Sequence, residues 1–235
     1  MSLHGVIFDF DGVIANTEPL HLEAYQQVLA DTPLSLDSRA YYTQYLGYDD
    51  IGVFTTLAKN QGVALSRAQL EQWIAQKHER FNTLVGGEPA IFPGATTCIE
   101  QLAAVAPLGI ASGALHTEIE AILSRASLRH YFRAIVAADD VEHPKPSPDA
   151  YLRAVDLING PQNNQTARSF VAIEDSRWGV ESAQAAGLIC VAVTHSYPAE
   201  ELRAADLVVH HLAEVRPDRL ELLRASLDQS DRPVR

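Results

Sequence analysis

Short apolar runs that stop at polar turns recur along the chain. They fall at residues 3–8, 107–112, 134–137, 169–173, 188–193 and 207–209. Within each run the apolar character is near-continuous instead of alternating, which marks strands covered on both faces, as in a parallel sheet. Between the later runs the apolar spacing shifts to a helical period. Ile99, Leu102 and Val105 mark one window, Ile119, Ile122 and Leu123 a second, and Val180 and Ala183 a third. Strand–helix alternation from about residue 90 onward predicts a doubly wound α/β core with a parallel, Rossmann-like sheet.

Residues 16–88 break that rhythm. No convincing strand occurs there, and several helical windows follow one another, at residues 51–60 and 70–84 among others. Asn16-Thr17 stands before Glu18-Pro19 as an expected N-cap, and Ser66-x-x-Gln69 has the form of a capping box. Gly86-Gly87-Glu88-Pro89 reads as a hinge. The expected organisation is an α/β core of residues 1–15 and 89–235, interrupted by an all-helical cap of residues 16–88. The polar tail beyond Ser226 is expected to fray.

Composition narrows the range of functions. Hydrophobic residues make up 47% of the 235 positions and charged residues 20%, which excludes a disordered or fibrous chain. The formal net charge of −12 opposes nucleic acid and anionic membranes as partners. It also means that an anionic ligand would need a local source of positive charge, a metal ion above all. Cys98 and Cys190 each lie inside an apolar run, which provides no disulfide framework. With no secretory pattern at the start and no apolar stretch of membrane-spanning length, the chain reads as cytoplasmic and monomeric.

Candidate chemistry sits at the ends of the strand runs. Asp9-Phe10-Asp11-Gly12 follows the first, and Glu174-Asp175-Ser176 follows the fourth. Ligands of open α/β sheets bind outside the carboxyl ends of strands. Two acid pairs meeting there repel each other unless a cation joins them. Such an oxygen-only set suits Mg²⁺, whereas either pair alone is compatible with a solvated turn or a helix cap. Ser112-Gly113 ends the second run ahead of a helical window, a natural phosphate cradle of hydroxyl and backbone N–H groups. The segment from His143 to Asp149 places Lys145 between prolines, where it could neutralise a phosphoryl group.

In this order, Asp-x-Asp-Gly, Ser, Lys-Pro and Glu-Asp, the motifs resemble those of the haloacid dehalogenase superfamily. The helical insertion resembles the cap of the subfamily that includes β-phosphoglucomutase and many small phosphatases. The resemblance implies Asp9 as the nucleophile that takes up the phosphoryl group, and Asp11 as general acid and then base. It implies Mg²⁺ on Asp9, on the Asp11 backbone carbonyl and on Asp175, with Glu174 in or near that shell. Ser112 and Lys145 would offset phosphoryl charge, and Gly12 and Gly113 would let backbone come close to it. The dehalogenases themselves need no second Asp with its Gly, and the phosphonatases replace that acid by Ala, so both resemble this chain less.

For the cap, the resemblance marks Thr17, Glu18, His21, Gly47, Tyr48, Asp49 and Lys77 as candidates for substrate contact. His21 and Lys77 match β-phosphoglucomutase. However, that enzyme grips a second phosphate with a cap arginine, where this chain carries Asp49 and Asp50. The expectation is therefore a Mg²⁺-dependent phosphomonoester hydrolase acting on a small phosphorylated metabolite such as a sugar phosphate. The alternative is a phosphosugar mutase. A non-catalytic binding protein, or a receiver-like phosphoacceptor, is the remote alternative from outside enzymology.

Overall fold

The computed structural model describes residues 3–46, 48–86, 90–161 and 165–230. The chain divides into two compact units, Met1–Asn16 with Ala90–Arg235, and Thr17–Pro89. Gly47 and the Gly87-Glu88-Pro89 part of the expected hinge lie outside the described residues.

The first unit is built on β1 (Gly5–Phe8), β2 (Leu108–Ala111), β3 (Phe132–Val136), β4 (Phe170–Glu174), β5 (Ile189–Val193) and β6 (Leu207–Val209). They form one sheet in the order β3-β2-β1-β4-β5-β6, with every pairing parallel. β1, β2, β4 and β5 are buried along their whole length, which explains why their sequences show no alternation. One face packs through Ile7, Ala111, Ala134, Val136, Phe170, Ala172, Cys190 and Ala192, every second residue of each strand. The helices laid against that face are α7 (Asp149–Asn159), through Tyr151, Ala154 and Val155, and α8 (Arg177–Ala185), through Val180 and Ala183. Also in this unit are α5 (Ala95–Ala103), α6 (His116–Arg125), α9 (Ala199–Leu202) and α10 (Pro217–Ser230). Strand order reverses beside β1, and both acid pairs emerge at that switch point, from β1 and β4.

The second unit is helical: α1 (Glu18–Leu29), α2 (Ser38–Ala40), α3 (Asp50–Asn60) and α4 (Arg67–Val85), with a π-helical turn at Tyr41–Tyr45 after α2. Its core joins Leu22, Tyr25, Val28 and Leu29 of α1 to Val53, Phe54 and Leu57 of α3 and Trp73 of α4. The hydroxyl of Ser66 accepts from the Gln69 N–H at 3.2 Å, so α4 starts where the capping pattern places it.

Three local readings change. Thr17 precedes α1 in a helical conformation and makes no side-chain cap. α10 continues past Ser226 to Ser230, and residues 231–235 of the expected polar tail lie outside the described residues. α7, which was not singled out from the sequence, covers β1, β2 and β3.

Candidate active site

At the end of β1 the Asp9 N–H donates to the Ile173 carbonyl at 2.8 Å, which carries the β1–β4 ladder one residue past the strand. The chain then turns sharply, since the Gly12 N–H donates to the Ala15 carbonyl at 2.9 Å. Gly12 sits at φ +77°. An added Cβ there would lie 1.8 Å from Asp175 Oδ2, so both the backbone conformation and the close packing require glycine. Gly113 stands beside open space. A Cβ there would meet no protein atom within 4 Å.

β4 delivers the second acid pair. Glu174 is fully buried. Its Oε1 accepts from Lys145 Nζ at 2.6 Å and from the Tyr151 hydroxyl at 2.8 Å. Its Oε2 accepts from the Asp175 N–H at 3.1 Å and the Ser176 hydroxyl at 3.3 Å. Ser176 in turn caps α8, accepting from the Gly179 N–H at 3.0 Å. Gly179 lets that first turn settle on Glu174, because a Cβ there would stand 1.9 Å from the carboxylate carbon.

Lys145 is not a solvated loop lysine. Its Nζ donates to Asp9 Oδ1 at 2.8 Å as well as to Glu174, and its side chain is 14% exposed. The proline-rich loop that carries it is tied to α8 by the Ser182 hydroxyl, which donates to the Ser147 carbonyl at 2.6 Å.

One oxygen from each of Asp9, Glu174 and Asp175 lies within 4.8 Å of the other two. Burial first, opposed by Lys145 and reinforced by Glu174, pushes the Asp9 carboxyl up to about 6. Burial, then the charges of Asp9 and Glu174, raises Asp175 well above the carboxylate range. The same two acids outweigh the effect of burial on Lys145 and keep it a cation. One lysine therefore faces three carboxylates. A buried, oxygen-only donor set with this residual repulsion fits a hard divalent cation such as Mg²⁺. Asp11 is half-buried in the turn and lies outside that three-carboxylate cluster.

Ser112 is buried at the end of β2, where its N–H donates to the Val136 carbonyl at 2.9 Å and its Oγ accepts from the Ala114 N–H at 3.0 Å. It is not the helix N-cap. α6 begins at His116, after Leu115, whose N–H donates to the Glu118 carboxylate at 3.4 Å. The hydroxyl thus lies on a strand-end turn ahead of the helix, as expected, with three residues between it and His116.

In the helical unit, Thr17 is buried and Glu18 accepts from the Tyr41 hydroxyl at 2.5 Å. His21 stacks on Phe81 with ring centroids 4.1 Å apart. Burial, aided by the charge of Lys77, pulls its imidazole down to about 3, so it is neutral at physiological pH. Lys77 is 3% exposed and pairs with Asp50 at 2.8 Å. Asp50 also takes the Tyr25 hydroxyl at 2.5 Å and His78 at 2.8 Å. Asp49 caps α3 by accepting from the Gly52 N–H at 2.7 Å, and Tyr48 is exposed. The two acids at 49 and 50 are therefore not a free anionic loop. One is held by a helix N-terminus and the other by a buried lysine.

Sequence reasoning missed Tyr151, Gly179, Ser182, His195 and Ser196. Ser196 hydrogen-bonds Asp175, and His195 Nδ1 lies 2.8 Å from the Gly12 carbonyl oxygen. The available signal was position alone, since His195 and Ser196 directly follow an apolar strand as the other motifs do.

The model of the haloacid dehalogenase-like hydrolases matches residues 6–193. The chain is 31% identical over 191 residues to fructose-1-phosphate phosphatase YqaB of Escherichia coli (strain K12), covering 80% of this chain and 95% of that protein. It is 30% identical to a phosphorylated carbohydrates phosphatase of Thermotoga maritima, covering 79% of this chain and 82% of the relative. The fold matches a crystal structure of β-phosphoglucomutase from Clostridium difficile with a TM-score of 0.80, at 18% identity, over 97% of this chain and 100% of the other. With the acid pairs, the serine and the lysine gathered at the switch point of the sheet, the chain belongs to the haloacid dehalogenase-like hydrolase family, as a phosphoric monoester hydrolase.

Proposed function

We propose that the protein is a Mg²⁺-dependent phosphatase that removes the phosphoryl group of a small sugar phosphate through an aspartyl-phosphate. The observation that carries this reading is Asp9, a buried carboxylate at the sheet switch point whose Oδ1 is held by Lys145. The names of the relatives, a fructose-1-phosphate phosphatase and a phosphorylated carbohydrates phosphatase, support the sugar phosphate as substrate class.

In the first step an Asp9 carboxylate oxygen attacks phosphorus. The P–O bond to the sugar breaks, and Asp11 gives its proton to the departing oxygen. In the second step Asp11 accepts a proton from water, whose oxygen attacks phosphorus. The acyl-phosphate bond then breaks, which releases inorganic phosphate and restores the Asp9 carboxylate. Asp9, with its carboxyl at about 6, is mostly ionised at neutral pH, as a nucleophile must be. Lys145 and Ser112 offset charge on the transferring group. Asp9, Glu174 and Asp175, with the Asp11 carbonyl, would hold Mg²⁺, which when bound supplies further positive charge there. The partner is a small phosphate ester, met by a cytoplasmic monomer. Among the described residues no helix is long and apolar enough to cross a membrane.

The test is a time course with Mg²⁺ on fructose 1-phosphate and on β-glucose 1-phosphate primed with the 1,6-bisphosphate. Free phosphate is expected as the product, and Asp9→Asn is expected to lower its release by about 10³-fold or more. Glucose 6-phosphate forming faster than free phosphate would establish the mutase reading instead.

A further inference from the structure

The loop after β5 touches the site at two consecutive residues, neither of which the proposed mechanism uses. Thr194 anchors the loop, its N–H donating to the Val209 carbonyl at 3.0 Å. Ser196 follows with its hydrogen bond to Asp175. Between them, His195 Nδ1 sits 2.8 Å from the carbonyl oxygen of Gly12, the residue after Asp11. A carbonyl can only accept, so Nδ1 carries the hydrogen and donates. The other contact of the imidazole is a face. It stacks on Phe92 with centroids 4.0 Å apart and planes inclined by 16°.

Phe92 lies on the limb that leads out of the helical insertion. Its N–H donates to the Ile14 carbonyl at 2.9 Å, and its neighbour Ile91 bridges to Ala15. One side chain thus holds the Gly12–Val13 peptide, directly after Asp11–Gly12, by its edge and the insertion's return limb by its face. Gly12 has left-handed backbone with no side chain of its own to lock it; the Ala15 carbonyl holds its N–H from inside the turn, and the donor from His195 fixes its carbonyl from outside.

We infer that His195 is a positioning residue for Asp11: its Nδ1–H fixes the Gly12 carbonyl and so sets the direction from which the Asp11 carboxyl delivers its proton to the leaving oxygen. The inference rests on the phosphatase reading and adds to it a residue outside the groups named there for catalysis and metal binding. Misplacing a proton donor matters in proportion to how much the leaving group needs the proton. An alkoxide leaving from a sugar phosphate needs it, and a nitrophenolate does not.

The experiment compares the purified wild-type protein with His195→Phe, which keeps the stacked ring but removes the donor, and His195→Asn, which keeps a donor near the Nδ1 position but removes the ring. Each is assayed with Mg²⁺ on fructose 1-phosphate and on p-nitrophenyl phosphate, with melting temperatures recorded. H195F should lose about tenfold to a hundredfold in kcat on fructose 1-phosphate. Its KM should stay within about twofold and its kcat on the aryl ester within about threefold. H195N should recover most of the lost rate. If H195F does not fold, H195N against His195→Ala carries the same contrast, with Asn active and Ala impaired.

Equal losses on both esters, or equal losses in the donor-keeping and donor-lacking variants, would overturn the inference and leave His195 a packing residue. A wild-type protein that hydrolyses neither ester would overturn the phosphatase reading itself, and the positioning role with it.

Discussion

Each of the two units buries ionised side chains, and the two do so differently. Around Asp9, three carboxylates share one lysine, and the acids Asp9 and Asp175 are both pushed up. Around Asp50, one carboxylate has Lys77, Tyr25 and His78. Burial alone would raise Asp50, but the charge and hydrogen bond of Lys77, then the Tyr25 hydroxyl and His78, outweigh it and hold the carboxyl below its usual range. The first cluster is short of positive charge and fits partners that arrive from outside. The second is complete within its own unit and serves to hold that unit together. Similar residue types thus serve reaction in one place and architecture in the other.

The largest way to break this contrast is Lys145→Ala. Removing the cation that pairs with Asp9 and Glu174 should lower phosphate release by about 10²-fold or more. Losing one partner of a buried pair should also reduce stability by about 3–5 kcal/mol. Denaturant unfolding with and without Mg²⁺ sharpens the comparison, since part of the loss should return when a divalent cation is present. An equal loss under both conditions would count against the cluster as a cation site.

Next in size is Lys77→Met, which keeps an apolar side chain of similar length and removes the charge that lies over the Tyr25 and Phe81 rings. The expected loss is about 3 kcal/mol, read from helix unfolding, and Mg²⁺ should not restore it. A wild-type-like melt for this variant would mean that Asp50 is held well enough by Tyr25 and His78 alone.

The smallest effect is the acid response of the same pair. The folded Asp50 carboxyl lies below its unfolded value, so the stabilisation is fully present above the ordinary carboxylate range and is lost as pH falls through the folded value. Stability should therefore fall more steeply below about pH 4 in the wild type than in K77M. Parallel acid melts of the two proteins check this, and identical curves would refute it.

The sheet was legible because four of its strands, β1, β2, β4 and β5, are buried along their whole length, and near-continuous apolar runs mark the strands within a residue or two. The acid pairs, Ser112 and Lys145 were legible as residues because each follows such a run. What they do to one another was not. Nothing local in the sequence announces that Tyr151 reaches Glu174, 23 positions away, or that His195 reaches Gly12, 183 positions away. Those contacts exist only once the sheet brings distant strand ends together. Asp49 and Asp50 show the reverse failure. Counted as charges they looked repulsive to a phosphate, yet a helix terminus and a buried lysine already hold them.

The central claim is that the charge-deficient cluster exists to accept a phosphoryl group on Asp9. It is tested most directly by acid-quenching the wild-type protein during turnover of fructose 1-phosphate with Mg²⁺, then mapping peptides by mass spectrometry. The account predicts one added phosphoryl group on the peptide containing Asp9, and none in D9N. Steady phosphate release with no phosphorylated Asp9 peptide at any quench time, or a D9N protein that still turns over, would contradict it.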